Sequence, residues 1–178
     1  MASIVGPLRG RYVGPWDDVL SGFNCGTGTK PEKEVNKLVA DFHAGRKSQC
    51  EMRVVEEGPT GALVGVCCFR RLLLGKALLP DADWDALYIA VIGLSKPFRG
   101  CRLLADGSSM GDVVLCDSLG EIKMRWGEQQ MPAVTAMVSP RNKPSWNLFT
   151  RHGFEEWIKG RGTGDAWLRR PIGLDLAG

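Results

Sequence analysis

The chain has 178 residues, 44% of them hydrophobic and 24% charged, and carries a formal net charge of +3. These are the proportions of an ordinary soluble globule, and one domain of this length buries roughly 70% of its unfolded surface. The charge is too small to argue for nucleic-acid binding by itself, although its sign suits an anionic cofactor or an RNA partner. No segment approaches the roughly 18 apolar residues of a membrane span, and the N-terminus Met1–Arg9 has no signal-peptide run. The expectation is one cytoplasmic domain over residues 1–178, with no membrane partner. The six cysteines are Cys25, Cys50, Cys67, Cys68, Cys101 and Cys116. They form no CxxC pair, and His43 and His152 stand in no ligand spacing. Reduced thiols are therefore expected, and no metal.

In chain order, residues 6–28 are rich in Gly, Pro and aromatics and read as a strand start followed by an irregular segment. Pro31 to Ala44 reads as a helix, with Pro31 suited to its first turn and Val35, Leu38, Val39 and Phe42 as its apolar stripe. Glu51 to Glu56 alternates like a strand, and Gly58-Pro59-Thr60-Gly61 supplies a hairpin turn. Leu63 to Leu74 is a longer apolar run. Pro80 to Asp85 is an acidic loop. Ala86 to Leu94 is hydrophobic throughout, as a buried central strand should be. Met110 to Trp126 reads as a long helix and Ala133 to Val138 as the next strand. A short helix follows Asn142, and a final strand pair lies near Phe154–Lys159 and Ala166–Arg170, joined by a turn at residues 160–164. The order β, α, β, β, β, α, β, α, β, β predicts an α/β arrangement around a mixed sheet.

The stretch Asn142-Lys143-Pro144-Ser145-Trp146-Asn147-Leu148-Phe149-Thr150-Arg151-His152-Gly153-Phe154 is a capped helix with a buried stripe and a glycine stop. Its spacing is Asn, Ser three residues on, Leu-Phe at six and seven, and Gly-Phe at eleven and twelve. This resembles the C-terminal motif of the Gcn5-related N-acetyltransferases (GNAT), and the likeness extends over roughly Leu63 to Glu156. It implies the acyl-CoA N-acyltransferase fold: a mixed, twisted sheet of six to seven strands flanked by helices, with two central parallel strands splayed apart. It also implies an acyltransferase that uses acetyl-CoA, releases CoA, and moves the acetyl group to a primary amine by direct attack in a ternary complex.

Between the central strand and the long helix lies Lys96 to Gly111. A strand feeding a Gly-rich loop and then a helix N-terminus suits an anion, because unpaired N–H groups and the helix dipole face it. The same stretch also reads as a loop that merely turns the chain. In the family this loop carries Arg/Gln, two residues, Gly, one residue, Gly/Ala. Arg99-Gly100 opens the pattern here, but Arg102 and Leu104 stand where small residues are expected, so the loop looks enlarged. The resemblance places the pyrophosphate on the backbone of Ser108, Ser109, Met110 and Gly111, with Arg99, Gly100, Arg102 and Gly107 contributing. By position, main-chain groups of Ile92, Gly93 and Leu94 would pair with the pantetheine arm like an added strand. Gly93 is consistent with a bulge or a close backbone approach, and equally with a plain core strand.

Asn142 reads as a helix cap or a ligand of the cofactor arm, and Ser145 and Phe149 fall in the same cofactor-facing motif. Family members often carry Tyr where this chain has Phe149, and that Tyr protonates the leaving thiolate. Phe cannot, and Ser145 or a bound water is the nearest substitute. For the general base, Asp83 and Asp85 are candidates by position, with Glu56 in reserve; exposed carboxylates of this kind are also commonly just solvated. Ser21-Gly22-Phe23-Asn24-Cys25-Gly26 is similar to a segment of acetyltransferase toxins that modify charged tRNA, although the Leu-Asp pair of that group is missing. Phe23 and Cys25 read equally as packing under the helix. Arg70, Arg71, Arg99, Arg102, Arg141, Lys143, Arg151 and Arg161 could form a basic rim, serving an adenosine 3′-phosphate as well as an RNA. Trp146 and Trp157 read as core or dimer contacts. The acceptor stays open among a small molecule, a protein and charged tRNA. A catalytically degenerate CoA-binding interaction module is a further reading, and apolar residues near the final strands would allow a homodimer.

Overall fold

A computed structural model describes residues 7–72, 86–100, 108–130, 133–159 and 165–171. The described elements are β1 (Leu8–Val13), α1 (Lys30–His43), β2 (Glu51–Glu57), β3 (Leu63–Leu72), β4 (Ala86–Leu94), α2 (Met110–Gln130), β5 (Ala133–Val138), α3 (Lys143–Arg151), β6 (Glu155–Lys159) and β7 (Ala166–Pro171). Short 3-10 turns stand at Asp18–Leu20 and Lys96–Phe98. The strands form a seven-stranded sheet in the order β1-β2-β3-β4-β5-β7-β6. The β4–β5 pair is parallel, whereas β1–β2, β2–β3, β5–β7 and β6–β7 are antiparallel. This is the mixed α/β sheet expected, with the elements in the expected order. The acidic loop at residues 80–85 and the turn at 160–164 lie outside the described residues. No described helix is long and apolar enough to cross a membrane.

The chain divides into two compact units, one of Met1–Phe69 with Val91–Ser118, the other of Arg70–Ala90 with Leu119–Gly178. In the first, α1 begins one residue earlier than its apolar stripe suggested. Thr29 caps it: the hydroxyl accepts the Glu32 N–H at 3.4 Å, and Glu32 Oε2 accepts the Thr29 N–H at 2.8 Å. This reciprocal arrangement satisfies two N–H groups that a helix start leaves orphaned. The β2–β3 hairpin turns where expected: the Gly61 N–H reaches the Glu57 carbonyl at 2.8 Å, and Gly61 takes a φ of +66° that costs glycine little.

The alternation expected of β2 is not what forms. Met52, Arg53, Val54 and Val55 are all buried, because both faces of this strand are covered. Arg53 tolerates burial through a two-point ion pair with Asp117 of α2, Nε to Oδ2 at 3.0 Å and Nη2 to Oδ1 at 3.1 Å, and its guanidinium stacks 4.9 Å from the Tyr12 ring centre. A paired, hydrogen-bonded charge of this kind avoids most of the desolvation cost an isolated one would incur.

In the second unit, Leu87 and Ile89 of β4, Val134 and Ala136 of β5, Leu168 of β7, and Leu119 and Ile122 of α2 are buried. The nine residues of α3 are too few to be stable alone, and burial of Leu148 and Phe149 holds them in place. The Phe149 ring meets Phe154 edge-on at 4.9 Å, and Gly153, at φ +77°, turns the chain between helix and strand.

Candidate active site

In the first unit β4 ends at Ile92, Gly93 and Leu94. The Ser95 N–H then bonds to the Val64 carbonyl at 2.9 Å, and the Phe98 N–H closes the following turn on the Ser95 carbonyl at 2.9 Å. Gly100 leaves this turn at φ +74°, with open space where a Cβ would stand. The parallel ladder to β5 runs over Leu87, Tyr88 and Ile89 against Val134, Thr135 and Ala136. Ile92–Leu94 therefore lie beyond it, the position in which a strand end can pair with a ligand.

Two glycines let other elements close on this strand end. A Cβ on Gly93 would stand 2.6 Å from Val35 Cγ1 and 3.4 Å from Phe23 Cζ. A Cβ on Gly65 of β3 would stand 2.8 Å from both the Gly93 carbonyl oxygen and Val114 Cγ2 of α2. Val35 of α1 and Phe23 fill the α-carbon side of Gly93, a close approach of the kind expected there.

The start of α2 carries a second reciprocal cap. Asp112 Oδ2 accepts the Ser109 N–H at 2.7 Å and the Ser109 hydroxyl at 2.6 Å, and the Asp112 N–H reaches Ser109 Oγ at 3.3 Å. Met110 is fully buried, Gly111 is buried and Ser108 half-buried. An internal carboxylate therefore already uses the Ser109 N–H at the proposed phosphate cradle, while first-turn N–H groups such as those of Met110 and Gly111 have no partner within the helix.

The Phe23–Gly26 segment is tied to the same corner. The Lys96 N–H bonds to the Asn24 carbonyl at 2.8 Å. Asn36 of α1 accepts the Cys25 N–H at 3.0 Å and donates to the Gly26 carbonyl at 2.7 Å. Arg99 Nη1 donates to the Cys25 carbonyl at 2.7 Å and forms an ion pair with Glu32. That guanidinium holds the Glu32 carboxyl down at about 2. Glu56, the reserve base, is bound by Arg11 Nε at 2.6 Å, and Arg11 also pairs with Asp17 at 2.8 Å. Both Glu56 oxygens are thus held by one guanidinium, Nη2 reaching Oε1 at 3.3 Å.

In the second unit Asn142 caps α3, its Oδ1 accepting the Ser145 N–H at 3.5 Å. Ser145 is half-buried and two turns of helix bring Phe149 into the core, so Asn142, Ser145 and Phe149 share one short element. Arg70 stacks on Tyr88 at 5.6 Å and Arg71 on Trp126 at 5.1 Å, while Arg141, Lys143 and Arg151 are exposed. Trp157 lies under Arg169 at 5.4 Å, and Trp146 is half-buried.

Asp83, Asp85, Arg102, Gly107 and Arg161 lie outside the described residues. Among the described residues no group of three or more His, Cys, Asp or Glu could hold a metal ion. Sequence reasoning missed Glu32, Asn36 and Asp112. Thr29-x-x-Glu32 and Ser109-x-x-Asp112 were readable as capping boxes; the partners of Asn36 were not, because they form only in the folded chain.

No protein-family sequence profile matches the chain, and no curated protein matches it in sequence. Solved structures do match in shape. A bacterial toxin is 15% identical, with 94% of this chain and 92% of that one covered and a TM-score of 0.69. Arabidopsis thaliana NAA60 bound to a bisubstrate analogue is 14% identical, with 93% and 98% covered and a TM-score of 0.64; the same protein has also been solved with acetyl-CoA. A Desulfovibrio desulfuricans protein assigned to the GNAT acetyltransferases is 16% identical, with 93% and 99% covered and a TM-score of 0.59. The seven-stranded mixed sheet described here is the GNAT acyl-CoA N-acyltransferase fold.

Proposed function

We propose that both units together form one N-acetyltransferase domain that moves the acetyl group of acetyl-CoA to a primary amine. The observation that carries the reading is the first unit's corner: a central strand whose last residues lie beyond its parallel ladder, a turn leaving through Gly100, and the capped start of α2 at Ser109–Asp112. Main-chain groups of Ile92, Gly93 and Leu94 take the pantetheine arm, and the α2 start from Ser108 to Gly111 takes the pyrophosphate. A second frame of the family's loop spacing opens at Arg102, with Ala105 where Gly is expected and Gly107 at the last position, directly before Ser108. That frame needs no insertion and gives Arg102 and Gly107 the cofactor roles better than one opening at Arg99.

In the reaction the amine nitrogen attacks the thioester carbonyl, a C–N bond forms, the C–S bond breaks, and CoA leaves as its thiol. The amine gives up one proton, which Asp83 or Asp85 accepts directly or through water, and the thiolate takes one, for which Ser145 or water is the donor. Phe149 has no proton to give. Aligning the two reactants supplies up to about 7–11 kcal/mol of the barrier, against roughly 3–5 kcal/mol for a proton donor worth 10²–10⁴-fold, so positioning can sustain turnover without the tyrosine. The reading takes the protein as cytoplasmic.

A second reading, acetylation of charged tRNA, is favoured by the Phe23-Asn24-Cys25-Gly26 segment held against β4 and by a bacterial toxin among the matches in fold. The test is calorimetric titration with acetyl-CoA of the wild type and of Gly111→Trp, with melting curves to show that both are folded. Micromolar binding lost in the folded variant supports the site; no binding by the wild type refutes the enzyme reading. Screening amines and charged tRNA with labelled acetyl-CoA then separates the acceptors, and tight CoA binding without transfer to any of them marks a binding module.

A further inference from the structure

Arg99 is half-exposed at the head of the phosphate loop, where a phosphate contact would be the ordinary expectation. Its Nη1 instead meets two groups of the chain, the Cys25 carbonyl at 2.7 Å and the Glu32 carboxylate. Glu32 uses its other oxygen, Oε2, to close the capping box on the Thr29 N–H at 2.8 Å. The Cys25 thiol donates to the Glu32 carbonyl at 3.4 Å, and the Gly26 N–H turns back on Asn24 Oδ1 at 2.8 Å. Gly26 stands at φ +112°, and a Cβ there would lie 2.8 Å from Arg99 Nη1 and 2.9 Å from Glu32 Cδ. The guanidinium and the carboxylate therefore fill the space that glycine leaves, in a backbone conformation that other residues rarely adopt. Every group in this cluster belongs to the Phe23–Glu32 segment or to the exit of β4.

We propose that Arg99 is a positioning residue, which latches the Phe23–Gly28 loop to the exit of β4 and does not bind the cofactor's phosphates. Under the acetyltransferase reading, on which this part rests, that loop would border the acceptor, since Phe23 Cζ stands 3.4 Å from a Cβ on Gly93 at the strand end assigned to the pantetheine arm. The corner that opens the phosphate loop then also fixes the acceptor side before any ligand arrives, which lowers the ordering cost of acceptor binding.

Two variants test it. Arg99→Met removes the latch. Glu32→Gln removes only the ionic half, since glutamine can still close a capping box. Hydrogen exchange followed by mass spectrometry reads the Asn24–Gly28 amides, and calorimetry reads acetyl-CoA. The latch predicts exchange at those amides faster by about tenfold in Arg99→Met, with a smaller increase in Glu32→Gln, as expected of local opening. It also predicts an acetyl-CoA Kd within about threefold of wild type in both, because no charge-assisted phosphate contact is lost. A Kd raised more than about tenfold in Arg99→Met, the loss expected for a charged hydrogen bond, would overturn it, as would unchanged loop exchange in both variants. If the wild type binds no acetyl-CoA, the enzyme reading fails, and the exchange measurement still decides the latch.

Discussion

Arg53 of β2 and Asp117 of α2 meet at two points directly beside Gly10 of β1, where a Cβ would stand 2.1 Å from Asp117 Oδ1. Three elements of the first unit are thus fixed by one buried guanidinium and one glycine. Truncating Asp117 to Ala removes the two-point ion pair of the buried Arg53, and should cost about 2–4 kcal/mol, toward the lower side for a pair whose carboxylate is partly exposed. Gly10→Ala should cost about 1–3 kcal/mol, because the carboxylate it strikes is held on both oxygens. Urea denaturation of each variant measures both; a loss under half a kcal/mol in either would show that the junction yields freely.

Gly93→Ala should also destabilise, by about 1–3 kcal/mol, since Val35 stands 2.6 Å from the added carbon and a β-branched residue in a helix has little rotamer freedom to withdraw. Val35→Ala in the same chain should return part of that loss. Additive effects in the double variant would mean that the two residues do not compete for one space.

Glu32 gives the fold an acid-sensitive component. Its carboxyl lies at about 2, below its ordinary 4.5, chiefly through the hydrogen bond from Arg99. A depressed carboxyl contributes stability that is fully present above the ordinary value and is lost as pH falls from about 4.5 to about 2. Asp17, lowered by Arg11, and Asp41, lowered by Arg46, add to the same trend. Denaturation midpoints between pH 6 and pH 2 should fall less steeply in Glu32→Gln than in wild type, and parallel curves would remove Glu32 as a contributor.

The cysteines should differ widely in reactivity. Burial pushes the Cys67 thiol up to about 12 and raises that of Cys25 as well, and Cys68 is fully buried. Cys50 and Cys116 are half-buried. Brief treatment of the folded protein with iodoacetamide at pH 8, mapped by peptide mass spectrometry, should label Cys50 and Cys116 ahead of Cys25, Cys67 and Cys68. Early labelling of Cys67 would show that the β3 core opens far more readily than its packing implies.

Local patterns fixed most of the element boundaries in advance. Ala86–Leu94 and Ala133–Val138 were legible to the residue because central strands read as nearly unbroken apolar runs. The helix expected to stop at Trp126 continues through Gly127 to Gln130, because a single glycine costs a helix only about 1 kcal/mol and Pro132 comes only later. The start of α1 was missed by one residue because the capping box was not read. What stayed illegible is the pairing of charges. Arg11 with Glu56, Arg53 with Asp117 and Arg99 with Glu32 join residues 45, 64 and 67 positions apart, and composition carries no mark of such partners. The cofactor motif was readable as spacing, yet the use of the Ser109 N–H by Asp112 emerges only when the helix start is seen in three dimensions.

The separation of 67 positions between Glu32 and Arg99 also sets an order of events during synthesis. A chain emerging only as far as β3 can wind α1 and close its capping box, since every group needed lies between Thr29 and Glu32. The segment just upstream can reach Asn36 and the Glu32 carbonyl early, but its ties to Lys96 and Arg99 form only later. Loop closure over such a distance is slow relative to helix formation. The Phe23–Gly28 loop is therefore among the later pieces of the first unit to set, and a nascent chain stalled before Arg99 should expose it to protease while α1 is already protected.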